Sequence, residues 1–275
     1  MWSNGKKIAV VLGFDFDAET LWYGLGLKTP TPTSRGQYGA FVGMPRVMEL
    51  CDKYGIKATI FVPGWTAEKY PEIVKEAYDR GHEIAHHGWL HENPNSMPVQ
   101  QEEEEFERGV RVFKSITGEV PKGYRSPAFD LGPNTLNLLR NHNYIYDTSM
   151  MAHEYPYMTK DANGKETGVV ELPVSWELDD APHFLFNFFP FYFSGLSSPS
   201  KVFEIWKDEF DYLYEKESFY LLTMHPQIIA RPHRIMMLEK LIKYIMGFPG
   251  VWFARHDDAA KDYLIQLKSK KVRKK

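Results

Sequence analysis

The chain has 275 residues, of which 43% are apolar and 15% aromatic, enough for a packed core and inconsistent with disorder. Its net charge of −3 argues against nucleic acid or an anionic membrane surface as the main partner. A single cysteine, Cys51, excludes an internal disulfide, and no apolar stretch approaches the ~20 residues of a membrane span.

Apolar, β-rich runs alternate with amphipathic helices along the chain. Ile8–Phe14 reads as the first strand. Lys6 and Lys7 followed by so short a run do not make a signal peptide with a cleavage site, so a cytoplasmic location is expected. Thr20–Gly43, rich in Gly, Pro and Thr, reads as a long loop. Pro45 then opens a helix with Val47, Leu50, Cys51 and Tyr54 on one face, and Gly55 closes it. Cys51 in that stripe reads as a small buried hydrophobe.

Ala58–Val62 is the second predicted strand, Pro71–Arg80 a helix, and Glu83–His86 the third strand. The acidic run Glu102–Glu107 reads as a solvated helix face, with Phe106, Val110 and Phe113 as its buried stripe. Tyr124–Ser126, Ile145–Thr148 and Val169–Leu172 follow as strands. Trp176–Ser198 then brings Phe184, Phe186, Phe188, Phe189, Phe191, Tyr192 and Phe193, which suit a subunit interface, a plug or a substrate wall. Helices are predicted from Ser198-Pro199 and over Arg231–Met246, strands over Phe219–Met224 and Val251–Ala254, and Lys268–Lys275 reads as a solvated basic tail. Repeated strand–helix units with short joints predict an α/β fold with parallel strands, either a doubly wound sheet or a barrel. No linker divides residues 1–275 into more than one domain.

Polar groups collect where strands end. Asp15 and Asp17 follow the first strand, and positions i and i+2 of an extended chain point the same way. His87 and His91 follow the third, where a helical turn would bring i and i+4 together. His82 and His86 share that spacing, but His82 sits at the wrong end of its strand. Arg125 ends the fourth strand, Trp176, Asp179 and Asp180 follow the sixth, and His225 ends the seventh. C-terminal strand ends form the face on which parallel α/β sheets build active sites. Two imidazoles and one carboxylate are a ligand set that holds a catalytic divalent metal, Zn2+ above all, and leaves a position for water.

These motifs resemble the polysaccharide deacetylases that share the NodB homology domain, and the resemblance runs from Phe14 to Pro226. Phe14-Asp15-Phe16-Asp17 looks like the first motif, His87-Gly88-Trp89-Leu90-His91 the second, Arg125-Ser126-Pro127 the third, and Leu222-Thr223-Met224-His225 the fifth. The resemblance implies a distorted β/α barrel of about seven parallel strands and hydrolysis of a non-peptide carbon–nitrogen bond. It assigns Asp17, His87 and His91 to Zn2+, Co2+, Ni2+ or Mn2+. Asp15 would be the base, Arg125 its aligner and His225 the acid. Trp176, Asp179 and Asp180 make the poorest motif, and which acid orients His225 stays open. With Arg231, these three are the expected substrate contacts.

Phe16 between the aspartates and Gly88 after His87 depart from the secreted members. They look like a cytosolic branch that includes allantoinase-like enzymes, cyclic imide hydrolases and peptidoglycan-deacetylase-like proteins, which tend to be homotetramers. The expected substrate is an N-acetylated sugar or, as the alternative, a small cyclic imide or ureide opened at its ring. Two rivals come from other classes. A non-haem Fe(II) oxygenase uses similar ligands, but on an all-β scaffold. A metal-binding module without catalysis is the other.

Overall fold

The computed structural model describes residues 2–161, 163–189 and 192–273. Its strands are β1 (Ile8–Asp15), β2 (Thr59–Val62), β3 (Glu83–His86), β4 (Gly123–Tyr124), β5 (Tyr146–Asp147), β6 (Tyr157–Lys160), β7 (Glu166–Glu171), β8 (Phe186–Asn187), β9 (Phe193–Ser194), β10 (Phe219–Met224) and β11 (Val251–Ala254). Seven of them run parallel in the order β10-β1-β2-β3-β4-β5-β7. The curled sheet's two ends meet at one parallel bridge, Asp179 to Thr223 of β10. This is the distorted β/α barrel expected of the sequence.

Alternation along β1 sorts its side chains between two cores. Ile8, Val10, Leu12 and Phe14 face outward onto helices, where Val47, Trp206, Phe210 and Leu238 share their cluster. Ala9 and Val11 face inward with Phe61, Ala85, Tyr146, Leu172 and Leu221. Gly13 and Asp15 continue the inward set, so the first aspartate is carried into the mouth of the barrel. β11 pairs with Ile8–Val11 while β2 pairs with Gly13–Asp15, so β11 is a wedge low in the barrel wall.

Several features differ from the sequence expectation. β6 is an added antiparallel partner of β7, and together they form a hairpin whose mixed polar pattern gave little strand signal. Thr20–Gly43 is mostly helical, with helices at Thr20–Tyr23 and Pro30–Tyr38 and a π-turn at Gly39–Gly43 that runs into helix Met44–Lys53. The glycines that suggested a loop serve close packing instead. A Cβ at Gly36 would lie 2.5 Å from the Glu19 backbone, and one at Gly43 would lie 2.5 Å from the Pro226 carbonyl.

The aromatic segment splits by position. Phe184 is buried, Phe188, Phe189 and Tyr192 are exposed on the β8–β9 hairpin, and Phe191 lies outside the described residues. Cys51 is buried, and burial pushes its thiol up to about 12. The helix starting at His256 reaches Arg273, so most of the basic tail is helical, and residues 274 and 275 lie outside the described residues. No helix among the described residues is long and apolar enough to cross a membrane.

Candidate active site

Phe16 explains why Asp15 and Asp17 reach one point. Its side chain is buried outward and its amide donates to the Phe61 carbonyl at 2.8 Å, which extends the strand geometry past Asp15. The Asp17 carbonyl is then held by the Thr20 and Thr66 hydroxyls at 2.8 and 2.7 Å. Opposite, β3 places Ala85 inward and His86 outward, so His87 points into the barrel. His86 lies among Phe106, Phe113 and Tyr124 on the outer side, and His82 accepts from the Ala58 amide. The pair at the site is therefore His87 and His91.

No helix joins these two histidines, contrary to expectation. Residues 87–91 form a bend with φ of +68° at Gly88 and +61° at His91. Glycine suits the first position because a Cβ there would both adopt an unfavourable φ and press on Pro127 at 3.1 Å. The bend is fixed by Gly64 and Trp65 amides donating to the Gly88 and Trp89 carbonyls at 2.8 and 3.1 Å.

The resulting geometry suits a metal. Ligand atoms of Asp17, His87 and His91 lie within 4.8 Å of one another, with His87 Nε2 3.5 Å from Asp17 Oδ1 and His91 Nε2 3.9 Å from Asp17 Oδ2. Asp17 Oδ1 and His87 Nε2 are buried with no hydrogen-bond partner, which is costly unless a cation takes both. His87 Nδ1 donates to the Arg125 carbonyl at 2.8 Å, leaving Nε2 as the lone-pair donor. Burial pulls His87 down to about 4 and His91 to about 3, so both are neutral, the form a metal needs. Burial, partly offset by His225, pushes Asp17 up to about 8, a position a bound cation would reverse.

Asp15 has a different environment. Arg125, fully buried, donates from Nη1 to Asp15 Oδ1 at 2.6 Å. Burial raises the Asp15 pKa, but Arg125, His87 and His225 together outweigh it and hold the carboxyl below its usual range. Arg125 lies over the Phe61 ring at 4.0 Å, and its Nη2 donates to His256 Nε2 at 3.4 Å. Gly13 makes room for this: a Cβ would sit 2.9 Å from Arg125 Nη1 and 3.2 Å from His256 Cε1.

His225 enters from β10, with Nε2 4.0 Å from Asp15 Oδ2 and 3.8 Å from Asp17 Oδ2. The acid that orients it is Asp180, whose oxygens accept from the His225 amide at 3.0 Å and from Nδ1 at 2.6 Å. Both Asp180 oxygens are thus engaged by His225. Asp179 is also buried, with Oδ1 accepting from the Ala181 amide at 2.7 Å. Trp176 is half-exposed against Phe129, and Arg231 lies over the Tyr38 ring at 3.8 Å, apart from the histidines. Two residues at the site had not been picked out: Gln227, which donates to Asp17 Oδ2 at 3.3 Å, and His256. His256 follows a predicted strand, the placement that marked the others.

A family model for polysaccharide deacetylase matches residues 39–146. A Helicobacter pylori peptidoglycan deacetylase is 34% identical over 97% of this chain and 99% of its own length. A peptidoglycan deacetylase-like protein of Gibberella zeae is 26% identical over 94% of this chain and 87% of its own. Among solved structures, a Mycobacterium smegmatis protein assigned to the polysaccharide deacetylases superposes with a TM-score of 0.89 at 32% identity, covering 97% and 93% of the two chains. PuuE allantoinase shares the fold, with a TM-score of 0.81 at 23% identity over 95% and 92% of the chains.

Proposed function

The chain belongs to the polysaccharide deacetylase family, hydrolases of non-peptide carbon–nitrogen bonds, and on that premise we propose that it removes an N-acetyl group from an amino sugar with a divalent metal at Asp17, His87 and His91. The observation that carries the metal assignment is the pair of buried, unpartnered ligand atoms, Asp17 Oδ1 and His87 Nε2. A divalent ion, zinc or else cobalt, nickel or manganese, would polarise the scissile carbonyl there and acidify a water.

The protein's own groups divide the proton work. Asp15, ionised and aimed by Arg125, takes the proton as water attacks the carbonyl carbon. His225, held by Asp180, gives a proton to the departing nitrogen, which is otherwise a poor leaving group. Burial opposes a charged imidazole at His225, but Asp180, Asp179 and Asp17 outweigh it and raise its pKa well above the usual histidine range. Acetate release from N-acetylglucosamine oligomers and peptidoglycan fragments by zinc-loaded protein tests the reading. No release, against a positive family control, would overturn it.

Ring opening of a cyclic imide or ureide is the second reading, favoured by the small size of the recess, about 290 Å3, that shares Gln227 with the site. Turnover of hydantoins or allantoin with no acetate release would select it. The same reading places the enzyme in the cytoplasm as a homotetramer, in which exposed Phe188, Phe189 and Tyr192 would be covered. Sedimentation velocity at micromolar protein checks the assembly.

A further inference from the structure

The recess behind Gln227 gathers positive charge. Gln227, which donates to Asp17, forms part of its wall and links the recess to the proposed metal centre, whose ligands do not themselves line it. Arg35, Arg231 and Arg234 all line it. Elsewhere the arginines Arg80, Arg108, Arg111, Arg125 and Arg255 pair with carboxylates. Among the described residues these three, like Arg46 and Arg140, make no ion pair with a carboxylate, and Asp180, whose charge acts on Arg234, is hydrogen-bonded to His225.

The three are held in place by neutral groups. Arg35 donates to the Phe186 carbonyl at 2.6 Å and lies over the Trp22 ring at 4.0 Å. Arg231 lies over the Tyr38 ring. Arg234 is only 9% exposed, lies over Phe184 at 4.6 Å and donates from Nη1 to the Ile228 carbonyl at 3.1 Å, yet its buried Nε has no partner. Burial and then the charge of Arg231 hold Arg35 below its ordinary pKa, and burial, partly offset by Asp180 and reinforced by Arg231, does the same to Arg234.

Gathering three cations around a partly apolar recess, with the charge of Asp180 offsetting Arg234 alone, favours an anion that completes it. Guanidinium forks match planar carboxylates in geometry and charge. The recess is at the small end of the ~300–1,000 Å3 usual for ligand pockets. That volume admits a carboxylate and the carbons that carry it against Trp22 and Phe184. We infer that Arg35, Arg231 and Arg234 form a carboxylate subsite, so that the preferred substrate is an amide carrying an acidic group close to the scissile bond. This inference rests on the proposed amide hydrolysis at the linked centre and names its substrate class.

Calorimetric titration of zinc-loaded protein with glutarate, and separately with inorganic phosphate, tests it. Saturable glutarate binding is expected, weakened at least 10-fold in Arg231→Gln, whose half-exposed side chain is removable without unfolding the chain. Arg234→Lys keeps the charge but loses the fork, and a several-fold loss is expected there. Absence of glutarate binding, equal binding by wild type and both variants, or tighter binding of phosphate than of glutarate overturns the carboxylate subsite. Failure of the amide-hydrolase reading would look different: no acyl release from any amide, while Arg231-dependent glutarate binding persists.

Discussion

Asp180 grips His225 at two points, accepting from its backbone amide at 3.0 Å and from its ring at 2.6 Å. The contact fixes the end of β10 and the tilt of the imidazole together. It also supplies the largest attraction that holds the ring proton against the cost of burial. In Asp180→Asn the loss of that negative charge lowers the His225 pKa, so the protonated form is lost at lower pH. We expect the alkaline limb of the kcat–pH profile to move down and kcat to fall about 100-fold. A limb that stays in place while kcat falls would show that His225 is not the titrating acid.

Asp15 and Asp17 sit two positions apart yet are separable by experiment. Asp15→Asn leaves the three ligands untouched, so metal content is expected to stay near wild type while turnover drops at least 1,000-fold, the upper part of the usual range for a lost base. His87→Ala removes a ligand, and both metal stoichiometry and activity are expected to fall. Elemental analysis after dialysis, paired with an activity assay, reads both. Full metal retention in His87→Ala would place the ion elsewhere.

Removal of the metal by a chelator is expected to abolish activity and lower the melting temperature, since Asp17 Oδ1 and His87 Nε2 are then left buried without partners. Back-titration with zinc should restore both. Activity that survives exhaustive chelation would refute metal assistance.

Gly13 is small because Arg125 occupies the space a side chain would take. Gly13→Ala forces the guanidinium off Asp15 or displaces His256, at a cost of about 1–3 kcal/mol in overpacking. The expected signature is a fall in kcat greater than the rise in KM, with the fold retained by circular dichroism. Arg125→Ala should be worse for stability, about 3–5 kcal/mol, because it leaves Asp15 charged and unpaired in the interior.

Glu83 gives the fold a pH dependence of its own. Burial, with Asp257 adding to it, pushes the carboxyl from 4.5 in a free chain up to about 8, despite donors from Thr59, Tyr146 and the Asp257 amide. A pKa raised on folding contributes stability that is complete below 4.5 and lost as pH rises through about 8. The melting temperature is expected to decline across that window in wild type and to stay flatter in Glu83→Gln. Parallel curves for the two proteins would show that Glu83 is not the group responsible.

Much of the site could be read from the chain because strand periodicity carries directional information. Asp15, Asp17, His87, Arg125 and His225 each follow an apolar run, and the inward parity of β1 and β3 then decides which neighbours converge. What could not be read depends on turns and on distant packing. The His87–His91 pairing uses positive φ at Gly88 and His91, which a spacing of four does not distinguish from a helical turn. The glycines of residues 36–43 looked like loop formers because the backbones they approach belong to Glu19 and Pro226, far away in sequence or unassigned to any contact. Gln227 and the choice of Asp180 over Asp179 needed the same long-range geometry.

The barrel seam has a consequence for how the protein fails. Among the described residues its two edges are joined by one bridge, Asp179–Thr223, one residue from Asp180 and two from His225. Elsewhere the pairing ranges from one position between β3 and β4 to six between β1 and β10. The seam is thus among the thinnest junctions of the wall, and local opening there is cheap where the proton donor is anchored. On slow heating, turnover should be lost reversibly at temperatures where the remaining wall is still intact, so that the enzyme falls silent before it melts.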